Sequence, residues 1–511
     1  MAIARIQQKD SGTTSASGGR TSRTLTWNST PTQGNFMVAC FAFHTLNSTT
    51  APTFQTVTGP SGWTEVCREE WQEPWYANNS THIKVYYKIA GASESTTVGV
   101  TVSHAMEIAA WAAEYSGVDT SDPIDKTSVA SGFNYSGSNH AAYVCSDLPD
   151  HQNGLCLYWF AYAANDGGTQ THTINLQHHA VTATAVGSNP SLDDDSSSTG
   201  NSRIGLSGWE SIQTSGTEES LCADGQMTIS TGGAAGSMGA GLLIKASGAT
   251  AVSNKAYWTP ESIVSIKARK YNTSGSSTSQ SHTFAETSTS GNLLTFWLII
   301  NHATSVPTIT SSGWTNSGGF QLGSLGCYLY YKTSAGDSSI AWTLSIAATS
   351  NHLSTEWMDT NAISEVLGLQ DSGSDHDSHR RGQAAVLSGV PYGSCTGRSW
   401  LGSRDLTASA NGTILWLFVS RSSYTGSHAR AHLHDDGTNL GDYTSCIGGN
   451  SSTPIFSFYW GVTEGGTKAK MHRYGCPFPG GSNFGGTVNI HAAGFKVRES
   501  SSGGNKWGWT A

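Results

Sequence analysis

Three kinds of residue in this chain have the types and spacing to do chemistry: clustered histidines, strand acids and loop aromatics. The densest histidine run is His428-Ala429-Arg430-Ala431-His432-Leu433-His434-Asp435-Asp436. On a strand, whose side chains alternate between faces, His428, His432 and His434 share one face, so imidazole ligation of a metal is geometrically open. A polar loop or a surface between subunits is the competing reading. With 18 His in the chain, clusters arise readily, and neither a metal nor any other cofactor is expected. Asp375-His376-Asp377 with His379-Arg380-Arg381 reads as a solvated loop. So does Asp193-Asp194-Asp195, as a turn in a Ser-rich stretch rather than a calcium loop.

Acids come next, because glycoside hydrolysis needs two carboxylates flanking the scissile bond. Glu114 and Glu365 are the acids at matching strand-like positions of two related segments described below. Glu114 is expected to be an edge residue paired to backbone or lysine, with a buried acid of raised pKa as the catalytic alternative. No Gly-x-Ser-x-Gly lies between a strand and a helix, and His172, His178 and His179 have no matching Ser or Cys motif. The run Gly232-Gly233-Ala234-Ala235-Gly236 lacks the Lys-Ser/Thr of a phosphate loop. No catalytic residue is expected. The aromatics Trp71, Trp75 and Tyr76 crowd an insertion, Glu69 to Thr81, and suit sugar stacking or partner docking. Their alternative is a local mini-core that folds the loop down.

The elements that must position these groups read as strands. Seventeen Trp, 18 Tyr and 15 Phe supply core, while 59 Gly among abundant Ser, Thr and Asn supply turns. Phe36 to Phe43 and Leu293 to Ile300 are short apolar runs opened by Gly-Asn turns, as buried strands are. His82 to Lys88 alternates, with Ile83, Val85 and Tyr87 on one face and Lys84 and Lys88 on the other, where lysines would blunt a sheet edge. Ala105 to Tyr115 is Ala-rich and helix-like, yet reads as a strand beside its neighbours. Trp63 and Trp314 are expected in the core, as are Cys40 and Cys156. The nine scattered Cys form neither a disulfide framework nor a zinc pattern.

Length and repetition divide the chain. At 511 residues it exceeds one ordinary core. Gly34-Asn35-Phe36 recurs as Gly291-Asn292-Leu293, and Ser61-Gly62-Trp63-Thr64 as Ser312-Gly313-Trp314-Thr315. Val85-Tyr86-Tyr87-Lys88 returns as Leu329-Tyr330-Tyr331-Lys332, and Glu114-Tyr115-Ser116-Gly117-Val118 as Glu365-Val366-Leu367-Gly368-Leu369. Asn153-Gly154 matches Asn411-Gly412, and Ala240-Gly241 to Lys245 matches Ala493-Gly494 to Arg498. All six pairs are collinear, at offsets between roughly 244 and 258 residues. They imply homologous modules at 1–247 and 256–499, a linker at 248–255 and a Gly/Ser/Trp tail at 500–511 carrying Trp507 and Trp509. The expected fold is all-β: two tandem antiparallel β-sandwiches of jelly-roll or concanavalin-like type.

A net charge of −9 without basic runs disfavours nucleic acid and anionic membranes as partners. The first residues lack a signal-peptide core, and no segment approaches the ~18 apolar residues of a membrane span. The sequence thus predicts a chain made in the cytoplasm, with no membrane insertion.

Taken together, Gly-Asn before an apolar strand, Ser-Gly-Trp-Thr, Tyr-Tyr-Lys, Glu114 to Asp125 (Glu-Tyr-Ser-Gly-Val-Asp-x-Ser-x-Pro-Ile-Asp) and the closing Gly-apolar-Lys strand resemble a module of tailed-bacteriophage virion proteins. The likeness covers most of the first module. The second lacks the Val-Asp-x-Ser-x-Pro-Ile-Asp segment. The resemblance implies a non-enzymatic virion surface protein of minor-tail or tail-fibre type, touching other virion proteins and a host-surface glycan, as a homo-oligomer. A capsid decoration or head-fibre protein, a virion glycan-degrading enzyme and a self-polymerising filament subunit stay open beside it.

Overall fold

The computed structural model describes residues 2–15, 18–45, 54–72, 80–132, 139–145, 151, 153–164, 170–176, 183–194, 203–212, 222–229, 234–250, 265–322, 325–358, 365–374, 399–407, 413–422, 428–435, 438–442, 446–448, 455–464, 468–476 and 488–498. Some strand residues are described by backbone alone; past residue 357 side chains are described only at Leu417 and Phe458. Among the described residues every regular element is a strand, so the chain is all-β. It forms two compact units parted between Ser253 and Asn254.

The first unit begins with β1 (Ala4–Asp10), β2 (Thr13–Ser15), β3 (Arg20–Thr26), β4 (Phe36–Thr45), β5 (Val57–Thr58), β6 (Thr64–Gln72), β7 (Ser80–Ile89) and β8 (Thr97–Ser116). It continues with β9 (Ile124–Gly132), β10 (Asn139–Cys145), β11 (Leu155–Ala164), β12 (Gln170–Leu176), β13 (Thr184–Asp194), β14 (Arg203–Ile212), β15 (Cys222–Ile229) and β16 (Ala234–Ile244). One sheet runs β1-β8-β4-β7-β6, with β3 and β5 on the first half of β8. A second runs β2-β13-β14-β11-β16-β9, and a third β10-β15-β12. These pairings are antiparallel except β2 with β13.

The apolar runs explain the stacking. β4 and β11 are apolar almost throughout and buried at every position, the mark of strands covered on both faces. One face of β4 sends Met37, Ala39, Phe41 and Phe43 against Leu25, Trp27, Val98 and Val100. Trp63 packs at the margin of this core, and Trp314 at the margin of its counterpart in the second unit. On the opposite side of the sheet, Trp111 of β8 meets Trp159 of β11 edge-on, ring centroids 5.5 Å apart, and its Nε1 donates to Val186 O at 2.8 Å. β11 then turns Cys156, Tyr158, Phe160 and Tyr162 to a further core with Met227 of β15. The first unit is therefore a deeper stack than the expected two-layered sandwich, because its two central sheets are apolar on both faces. Removing one of these buried Trp side chains would cost about 3–5 kcal/mol. Cys40, Cys67, Cys156 and Cys327 are buried and outside any disulfide.

The second unit has β17 (Ser265–Thr283), β18 (Leu293–Ile300), β19 (Pro307–Ile309), β20 (Thr315–Leu322), β21 (Leu325–Thr333), β22 (Ser339–Met358) and β23 (Glu365–Ser374). After these come β24 (Ser399–Thr407), β25 (Thr413–Ser422), β26 (His428–Asp435), β27 (Thr438–Asp442), β28 (Cys446–Gly448), β29 (Ile455–Glu464), β30 (Lys468–Cys476) and β31 (Val488–Arg498). Its sheets run β17-β22-β18-β21-β20, with β19 on β22; β23-β31-β25-β29-β28; and β24-β30-β26-β27.

This order retraces the first unit. The 20-residue β22 lies beside β18 as the 20-residue β8 lies beside β4. The order β23-β31-β25-β29-β28 repeats β9-β16-β11-β14-β13, and β17 stands where β1 and β3 stand. The register corrects one sequence match. Glu114 lies opposite Met37 of β4, and the residue so placed opposite Leu294 of β18 is Glu356. Glu365 instead opens β23. The helix-like segment Ala105 to Tyr115 lies wholly within the strand β8.

Candidate functional site

Among the described residues of the first unit, buried ionisable groups concentrate at the end of its first sheet, where β4, β7, β6 and β8 meet. Phe43 faces His82, His82 faces Glu70, and Arg68 faces Lys84 across these strands. Opposed antiparallel residues share a face, so His82, Glu70, Lys84 and Arg68 gather on one side. Lys84 Nζ donates to Glu70 Oε1 at 3.0 Å, with both side chains within 5% of full burial. Arg68 Nη1 lies 3.8 Å and His82 Nδ1 4.0 Å from the same oxygen, and Arg68 also pairs with Glu65. His82 Nε2 is 2.7 Å from Ser80 Oγ. Burial, then the Glu65 carboxylate, pushes the nearby Tyr86 phenol far above its ordinary range. On the reverse face the buried His44 stands opposite Glu107, Nδ1 to Oε2 4.0 Å.

This array can hold charge in a low-dielectric interior; Glu70 is compensated by two cations. At the matching positions of the second unit, Gln321, Gly326 and Tyr328 stand in place of Glu70, His82 and Lys84. Alternation in the sequence suggested that Lys84 faces outward at an edge. The structure corrects this, since β7 is an internal strand between β4 and β6. The signal that was available is Glu69-Glu70, whose charges need partners on the strand alongside.

Trp71, expected at an exposed loop tip, ends β6 with its indole fully buried. It fills the space over Gly236, where a Cβ would come within 2.7 Å of the ring. Trp71 is thus not exposed for sugar stacking; its indole packs between β6 and β16. Trp75 and Tyr76 lie outside the described residues, as do His178, His179, 375–381 and 500–511. His428, His432 and His434 lie on the strand β26, not in a loop, and are described by backbone alone.

Asp193 is likewise not in a solvated turn. It ends near the close of β13, buried, and accepts from Arg20 Nε at 3.1 Å, Thr14 Oγ1 at 2.9 Å and the Ile108 N–H at 2.9 Å. These three donors satisfy the carboxylate. Glu114 accepts from Thr32 N at 2.8 Å, Asn35 Nδ2 at 2.6 Å and Gln7 Nε2 at 2.5 Å. Its counterpart Glu356 accepts from Thr289 N at 2.9 Å and Asn292 Nδ2 at 2.7 Å. His172 is buried between Gln170 and Ser207, and burial lowers its pKa to about 3. Among the residues whose side chains are described, no group of three or more His, Cys, Asp or Glu is placed to hold a metal ion.

No family model, curated protein or solved structure matches the chain.

Proposed function

We propose that this chain is a non-enzymatic structural protein of a tailed-bacteriophage virion, displayed on the particle exterior as a tail-fibre or minor-tail protein that contributes to host-surface adhesion. The observation that carries the reading is the twice-built strand framework in which the acids at equivalent stations, Glu114 and Glu356, close turns. A duplicated scaffold whose matched polar groups serve its own geometry suits work done by surfaces. The sequence resemblance to virion modules supports the same reading and, with the stacked sheets, a sandwich of jelly-roll kind. Neighbouring virion proteins, further copies of this chain and a host glycan are its partners in this account.

Cryo-electron microscopy of the native particle tests it. Density for both units on the tail or its fibres is the expected result. A regular lattice at capsomer centres would overturn the tail assignment in favour of a decoration protein. Turnover of host polysaccharide that is abolished by Glu114→Gln would overturn the non-enzymatic one.

A further inference from the structure

We propose that the second unit carries a transition-metal site of the zinc class, formed by His432, His434 and His472 with Asp442 at the flanking position. The backbone register makes the case. His432 of β26 stands directly opposite His472 of β30, and on its other side opposite Asp442 of β27. One rung of the sheet therefore reads His472, His432, Asp442 across three adjacent strands. His434 is the next same-face position along β26.

The spacing suits convergence on one ion. Directly opposed residues place their Cβ atoms about 4.5–5.5 Å apart, and diagonal neighbours about 7–8 Å. Same-face neighbours along a strand are about 6.4–6.8 Å apart. A triangle of this size is within reach of three imidazoles bonding one ion at about 2.0–2.1 Å. Imidazole donors with a carboxylate beside them select zinc and its neighbours over calcium or magnesium. Lys470 stands opposite His434, and Asp405 of β24 stands opposite Lys470, an acid at the position needed to offset that cation. His428 is opposite Cys476, two rungs beyond His432, too far along the strand to join the set.

The framework does not require these residues. The corresponding sheet of the first unit has His140 on β10 and His172 on β12, each opposite Met227 of the central strand β15, which carries no histidine. Among the described residues of these two sheets, a directly opposed pair of histidines with a third at the next same-face position is found in the second unit; in the first, Met227 separates the two imidazoles.

The test uses the full-length chain without a histidine tag, stripped with a chelator and titrated with Zn²⁺ by calorimetry and with Co²⁺ by visible absorption. The expected result is one ion per chain, a four- or five-coordinate cobalt spectrum, and at least tenfold weaker binding in His432→Ala and His472→Ala. His104→Ala, at an exposed position in the first unit, should bind as the parent does. Absence of stoichiometric uptake, or parent-like affinity in both variants, would overturn the site. If either variant loses its far-UV circular dichroism, the unmutated chain decides. Zn²⁺ must then protect His432, His434 and His472 from acylation by diethylpyrocarbonate, and equal modification with and without the ion rules the site out.

Discussion

Asn35 donates from Nδ2 to Glu114 Oε1 at 2.6 Å, and the same oxygen takes the backbone N–H of Thr32 at 2.8 Å. The turn that launches β4 is thereby tied to the middle of its sheet. In the second unit Asn292, Thr289 and Glu356 repeat the arrangement before β18. Glu114→Gln keeps the size but removes an acceptor from a buried site, and about 1–3 kcal/mol of stability should go with it. Glu356→Gln should cost a similar amount in its own unit. Urea unfolding followed at tryptophan reads both; unchanged midpoints would mean that the carboxylates do not close these turns.

Lys84 and Glu70 form a buried ion pair. Lys84→Met alone should destabilise the first unit by no more than about 3–5 kcal/mol, because it leaves the buried Glu70 carboxylate with Arg68, at 3.8 Å, as its remaining cation. Adding Glu70→Leu should recover much of that loss. A double mutant no more stable than Lys84→Met would argue that packing, not charge, is what Lys84 supplies.

The second core holds two imidazoles in contact, His352 Nδ1 to His282 Nδ1 at 2.8 Å. Ser354 Oγ donates to Lys270 O, so it accepts from His282 Nε2–H; His282 Nδ1 then accepts from His352 Nδ1–H, and His352 Nε2 accepts from Ser274. Burial, helped by Lys270, lowers the His352 pKa from 6.5 to about 3. The unfolded chain thus takes up a proton that the folded one refuses. Stability is complete above pH 6.5 and should fall by about 1.4 kcal/mol per pH unit toward pH 3 for this group. Leu25 and Ala110 hold the equivalent positions in the first unit. His282→Leu with His352→Ala should therefore flatten the second unit's pH dependence, which thermal melts at pH 7 and 4.5 would show.

Lys332 and Asp337 are joined at 2.6 Å in the turn after β21, as Lys88 and Glu94 are at 2.8 Å after β7. Burial raises the Asp337 pKa, but the Lys332 hydrogen bond and the Ala335 N–H lower it by more, so it lies below the ordinary value. Its contribution is present above the unfolded value near pH 4 and is lost as pH falls through the lower folded one. Solvent screening keeps it small, about 0.5–1 kcal/mol. Asp337→Asn should lower the melting temperature slightly at pH 7 and not at all at pH 2.5.

Much of the fold was legible because apolar runs and turn residues act locally. Gly34-Asn35 and Gly291-Asn292 open equivalent strands, and Thr64 and Thr315 begin another pair. What stayed hidden depends on pairing between distant strands. Glu365 shares a five-residue pattern with Glu114, yet strand register makes Glu356, followed by an aromatic as Glu114 is, the true counterpart. Lys84 alternates like a surface residue because alternation reports faces, and a face is wet only if no sheet lies over it. Trp71 looked like a loop residue because its burial depends on the absence of a side chain at Gly236, 165 residues away in sequence.

Whether the chain is part of a virion is tested most directly by mass spectrometry of density-gradient-purified, DNA-filled particles from cells in which this gene is expressed with its natural neighbours. The account predicts peptides from both units in the particle band, at a copy number matching a tail symmetry and retained after high-salt washing. Peptides confined to the soluble fraction, with particles that lack the chain and still infect normally, would contradict it.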